Sequence, residues 1–138
     1  MRVVADTNVI ISGIFWRGAP RAVLDAARDG RIEMFTSAIL LAELEDVLSR
    51  PKFAERLTCV EATPRDIVLG YASLAYLVEP AMIEPVIEAD PDDDQVLACA
   101  VAAKAGIIVS GDSHLLNMKK YNAIEVISAT ELQGLLSV

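Results

Sequence analysis

Val3-Val4-Ala5-Asp6-Thr7-Asn8 is a short apolar run that stops at a carboxylate. Consecutive apolar residues that include β-branched valines suit a strand buried on both faces, as in a parallel sheet. Asp6, Thr7 and Asn8 then break the run, and all three residue types favour a helix N-terminus. Late in the chain Ile107-Ile108-Val109-Ser110 runs through Gly111 into Asp112, followed by Ser113-His114-Leu115-Leu116. Two strands that each end at an aspartate put both carboxylates at the strands' carboxyl ends. Open α/β sheets bind their ligands along that rim.

Between these two runs, strand signals alternate with helical ones. Pro20 opens a helix through Ala22, Val23, Leu24, Ala26 and Ala27, and Gly30 closes it. Ile32–Phe35 reads as a second strand. Thr36 or Ser37 caps a helix to about Ser49, stopped by Pro51, and Lys52–Leu57 reads as one further turn. Thr63-Pro64 starts a helix to about Tyr76. Met82–Ile87, interrupted by Pro85, suits an irregular or edge strand. The acidic cluster Asp90–Asp94 opens an apolar helix from Val96 to Ala105, ended by Gly106. Ile124–Ile127 is a last strand and Thr130–Leu136 a last helix. This alternation predicts a three-layer α/β/α sandwich with a central, mainly parallel sheet, in one domain over 1–138.

The chain of 138 residues is long enough to build a core without disulfides or structural metals. Hydrophobic residues make up 54% and charged residues 23%, which excludes a disordered chain. The mean hydropathy of +0.42 is high for a soluble domain, and predicts apolar surface that meets another chain. No run reaches the ~18–20 apolar residues of a membrane span. The N-terminal apolar run is short and broken by Asp6, unlike a signal peptide. Cys59 and Cys99 lack metal-ligand spacing, and Cys99 in an apolar helix reads as a small buried hydrophobe. The expected address is cytoplasmic.

The formal net charge of −8 argues against simple phosphate binding through a basic face, but suits acids gathered around a cation. Basic residues nevertheless cluster at Arg17, Arg21, Arg28 and Arg31, and again at Arg50, Lys52 and Arg56. Four acids stand out: Asp6, Glu43, Asp93 and Asp112. Each has an ordinary structural explanation. Asp6 and Asp112 suit helix caps, and Asp90–Asp94 suits a helix first turn. Glu43 lies at the edge of the apolar face formed by Leu40, Leu41, Leu44, Val47 and Leu48, where an ionised carboxylate is costly unless paired or bound to a metal. Four acids in five residues repel one another, and a helix dipole offsets only about 0.3–1 kcal/mol per charge. A hard divalent cation with oxygen ligands accounts for all four positions together.

Several other chemistries lack residues that they need. Asp90, Asp92 and Asp94 have EF-hand spacing, but Gln95 replaces the required glycine and Val101 the bidentate acid. No serine or cysteine has a matched base for acyl transfer. Gly13 and Gly18 fit neither nucleotide-binding fingerprint. A haloacid dehalogenase-type phosphatase needs a second aspartate where Asn8 stands. A receiver-type signalling domain needs an acidic pair after the first strand. His114, the lone histidine, is left without a catalytic role at this stage.

Four segments in order carry a resemblance: Val4–Ser12, Ser37–Glu43, Asp90–Ala100 and Ile108–Leu116. Together they resemble the PIN domain, and most closely the VapC-like toxin components of bacterial and archaeal toxin–antitoxin systems. The resemblance implies an endoribonuclease using Mg²⁺ or Mn²⁺ that leaves 5′-phosphate and 3′-hydroxyl ends. It places the family's four acids on Asp6, Glu43, Asp93 and Asp112, as catalytic and metal-binding residues. The third place is shared with a rival. Asp93 keeps the spacing to Leu97, whereas Asp94 keeps the distance to Asp112 found in shorter relatives. Asp94 and Asp90 are further candidate ligands, and Thr7, Asn8 and Ser110 match supporting positions.

The implied partners are an RNA substrate, a cognate antitoxin and a second copy in a homodimer or higher oligomer. Trp16, Arg17 and Arg21 are candidates for substrate binding, Trp16 as a stacking platform. Lys119 and Lys120 are weaker candidates from position alone. Four close carboxylates without metal predict at least one raised pKa. A silent PIN-like interaction module remains the alternative, and the phosphatase a more distant one.

Overall fold

The structure, a computed structural model, describes residues 1–85 and 91–137. Its six strands are β1 (Arg2–Ala5), β2 (Glu33–Thr36), β3 (Ala75–Leu77), β4 (Ile107–Val109), β5 (Lys120–Tyr121) and β6 (Ile124–Ile127). The helices are α1 (Thr7–Phe15), α2 (Ala19–Arg28), α3 (Ala38–Leu48), α4 (Ala54–Cys59), α5 (Pro64–Ala72), α6 (Pro91–Ala103), α7 (Ser113–Met118) and α8 (Ala129–Leu136). A 3-10 turn at Pro51–Phe53 precedes α4.

The strands lie in the order β3-β2-β1-β4-β6-β5. All pair in parallel except β5, which runs antiparallel to β6. The predicted α/β class and mainly parallel sheet are therefore present. Strand residues alternate between two cores. Val3, Ala5, Met34, Ile107 and Val109 join α1, α2, α3, α5 and α8 on one face. Val4, Phe35, Ile108 and Val126 join α6 and Leu115 of α7 on the other. Burial on both faces explains the uninterrupted apolar runs of β1 and β4.

From β1 the sheet grows through β2 to β3 on one side, and through β4 to β6 on the other. The junction of β1 and β4 is thus the topological switch point, where open α/β sheets form a crevice at their carboxyl ends. The register pairs Ala5 with Val109, so both strands finish at the same level. Asp6 and Asp112 follow from those ends.

Several boundaries differ from the sequence reading. The helix expected to reach Tyr76 stops at Ala72, and Ala75–Leu77 is instead the edge strand β3. Leu74 to Leu77 carries no glycine or proline, so nothing in it punctuates the change. Residues 82–85 form no strand, whereas 86, 87 and Asp90 lie outside the described residues. Gly106 does not end α6. The left-handed residue there is Lys104 (φ 54°), while Gly106 donates to Arg2 O and leads into β4. Gly30, by contrast, has the expected left-handed conformation (φ 77°). The helix α1 and the two-residue β5 had no separate place in the sequence reading. Cys99 is buried as expected, and burial pushes its thiol pKa up to about 12, so it is unreactive. Among the described residues, no helix is long and apolar enough to cross a membrane.

Candidate metal centre

Asp6 stands at the N-terminus of α1, and its Oδ1 accepts the Val9 N–H at 2.9 Å. Its Oδ2 accepts the Ser110 hydroxyl and the Gly111 N–H, the latter at 3.2 Å. A carboxylate has about four lone-pair positions, so these three bonds leave Asp6 about one for a further partner. Ser110 is buried at the end of β4, and its Oγ also accepts the Asp112 N–H at 2.9 Å. One hydroxyl therefore ties the acid after β1 to the acid after β4.

Burial raises the pKa of Asp6 above its ordinary value. Hydrogen bonds from Ser110, Val9 and Gly111 oppose that effect, and repulsion from Asp112 adds to it as the smallest contribution. A raised carboxylate was expected from the sequence through mutual repulsion. Its main cause is instead desolvation.

Ser37 caps α3, and the helix carries Glu43 on its half-buried side. The Thr7 hydroxyl donates to Glu43 Oε2 at 2.9 Å, which fixes the glutamate beside the start of α1. Leu40, Leu44, Val47 and Leu48 are buried as the wheel predicts, while Ile39 is exposed. From α6, Asp93 is buried and Asp94 half-buried. Asp112 caps α7, accepting the His114 N–H at 2.7 Å.

Asp6, Glu43, Asp93 and Asp112 all line one cleft of about 190 Å³, with Thr7, Asn8, Val47, Val96, Arg50 and Lys52. Asp93 is part of this lining and Asp94 is not. Asp90 is outside the described residues. Donor atoms of two of these acids, Asp93 and Asp112, and of His114, which is not part of the lining, lie within 4.8 Å of one another. Asp6 and Glu43 border this tighter group. Oxygen donors converging from four separate segments fit a hard divalent cation, which takes carboxylates and water.

Larger cavities of about 430 and 510 Å³ lie elsewhere, one between α2 and α5 and one beside α4. Neither gathers comparable carboxylates, and the chemistry of the lining outweighs size in locating a cation site. Arg21 lines both, and its guanidinium donates to Gly13 O and Ile14 O at the end of α1 (3.0 and 2.7 Å). It therefore lies away from the acidic cleft. Arg17 is exposed.

Trp16 is 41% exposed, with the Arg56 guanidinium 4.2 Å from its ring centre. It lines a groove with Asn8, Ile11, Ser12, Lys52, Phe53 and Arg56. Asn8 and Lys52 belong to both this groove and the acidic cleft, so the two adjoin. The sequence reading noticed Arg50, Lys52 and Arg56 only as a basic cluster. Their spacing across the Pro51 turn was the signal that they share a surface. His114 carries no functional signal in the sequence, since a lone histidine is usually structural or at the surface, and its neighbour Asp93 is distant along the chain.

A family model described as a PIN domain matches residues 2–114. Among solved structures, the one titled as the crystal structure of FitAcB from Neisseria gonorrhoeae is similar to this chain with a TM-score of 0.57 and 18% identity. The match covers 93% of this chain and 98% of the other. At that identity the likeness concerns the fold. No curated protein matches the chain.

Proposed function

The chain belongs to the PIN domain family, and on that premise we propose that it is a divalent-metal-dependent endoribonuclease, the toxin of a type II toxin–antitoxin pair. The observation that carries this reading is the single cleft shared by Asp6, Glu43, Asp93 and Asp112. When bound there, Mg²⁺ or Mn²⁺ supplies Lewis acidity that activates water and offsets charge on a phosphodiester. Asp93 and Asp112 hold the cation, with Asp6 offering its remaining lone pair. Thr7 keeps Glu43 oriented toward the same volume. Ser110 sets the relative positions of Asp6 and Asp112.

RNA must approach this acidic cleft despite the net charge of −8. Arg50 and Lys52 at its wall receive phosphates. The adjoining groove leads a single strand past Asn8 toward Trp16 and Arg56, where bases stack. An antitoxin with a basic side chain for the acidic cleft is the proposed partner, and a second copy the proposed oligomer. Exposed apolar side chains at Ile39, Leu69, Tyr76, Leu77 and Met82 support association with another chain.

Purified protein on defined single-stranded RNAs tests the reading. Cleavage with Mn²⁺ or Mg²⁺, 5′-phosphate product ends, and loss of activity with chelator or in Asp6→Asn are expected. Equal cleavage by the parent and Asp6→Asn would mean a background nuclease and a silent PIN-like module.

A further inference from the structure

Two acids of the cleft, Asp93 and Asp112, share a group of potential ligands with a residue outside its lining, His114. Donor atoms of Asp93, Asp112 and His114 converge within 4.8 Å. We propose that His114 contributes a ring nitrogen to the cation held by Asp93 and Asp112, so that the centre favours a transition ion such as Mn²⁺, which accepts nitrogen more readily, over Mg²⁺. The inference rests on the reading of the cleft as a metal site and adds a ligand of different chemistry to it.

The local geometry suits this role. Asp112 caps α7, and the first turn of that helix brings the imidazole back over the capping carboxylate. His114 Nδ1 lies 3.2 Å from Asp112 Oδ1. Two ligands in adjacent octahedral positions, each about 2.1 Å from an ion, sit about 3 Å apart. Asp93 reaches the same volume from α6, a separate helix. The His114 side chain is 51% exposed, so it meets the ion from the solvent side of the cleft. It can turn toward an ion without disturbing the core.

Ligand chemistry gives the metal preference. Mn²⁺ is itself an oxygen-preferring ion but accepts an imidazole nitrogen among its ligands, whereas Mg²⁺ keeps oxygen ligands and water. An all-carboxylate site discriminates little between Mg²⁺ and Mn²⁺. One nitrogen ligand strengthens Mn²⁺ binding and leaves Mg²⁺ binding nearly as it was.

The chain contains one histidine, which makes the test clean. Pulsed EPR of Mn²⁺ bound to untagged protein reads directly coordinated ¹⁴N, and any imidazole signal belongs to His114. The expected result is a ¹⁴N coupling in the parent that disappears in His114→Gln. Calorimetric titration of that variant should show Mn²⁺ affinity reduced by at least roughly 10-fold, with Mg²⁺ affinity unchanged. If Mn²⁺ binds the parent through oxygen alone, or if the variant loses both ions equally, His114 merely supports Asp112 and the inference falls. A parent that binds no Mn²⁺ removes the metal reading of the cleft itself. The parent spectrum decides the matter even if the variant folds poorly.

Discussion

Asp6 carries two burdens at once. It caps α1 through Oδ1 and anchors the end of β4 through Oδ2, yet it is only 5% exposed. Burial raises its pKa, so the native state holds its proton more tightly than the unfolded chain does. In a window that opens near the ordinary value of 3.8 and extends upward, the native protein binds more protons. Stability therefore falls as pH rises through that window, and the metal-free protein is at a disadvantage near neutrality. Denaturant unfolding in chelator, compared between the parent and Asp6→Asn, isolates this contribution. The parent should gain on the variant as pH is lowered from neutral through the window. A difference that is constant with pH, or that grows in the variant's favour, would contradict the assignment. On the proposed reading, a cation bound in the cleft would offset this disadvantage by stabilising the ionised form.

At the scale of elements, α1 and α2 approach each other closely at Gly13. A Cβ on Gly13 would meet Leu24 Cδ1 at 2.7 Å and Pro20 O at 2.8 Å. Backbone contact of that kind cannot yield as a flexible side chain can. Gly13→Ala should therefore destabilise the protein by about 1–3 kcal/mol, although alanine is the better helix former. An unchanged or raised melting temperature would show that the two helices part easily. The element list was legible where composition and punctuation agree. β1 and β4 show as apolar runs stopped by aspartates, and α5 as Thr63-Pro64, which forms a capping box with Asp66. Legibility failed where tertiary contacts decide. Val9, Ile10 and Ile11 are β-branched and apolar, so the stretch after Asp6 lacks a helical signature, yet the cap and burial against α2 make it α1. β3 is three residues that pair with β2, a partner no local pattern reveals. The four acids were legible because each sits at an element boundary or on an apolar helix. The presence of Asp93 in the cleft lining, and of His114 beside Asp93, follows from the packing of α6 and α7, which no local pattern reveals.

For the molecule as a whole, the strand order does most to create the site. Placing β1 beside β4 brings positions 6 and 112 together at the switch point, and α3 and α6 bring Glu43 and Asp93 to the same crevice. Negative charge is concentrated there, while Arg50, Lys52 and Arg56 gather along the cleft and its adjoining groove. The net charge of −8 thus conceals a local arrangement in which an acidic cleft adjoins a basic and aromatic groove. The most direct measurement is an anomalous difference map from crystals soaked in Mn²⁺. The account predicts a peak in the cleft, about 2–2.5 Å from oxygens of Asp112, Asp93 and at least one further acid of the set. A map with no peak there, or with Mn²⁺ held only at exposed acids such as Asp46, would contradict it.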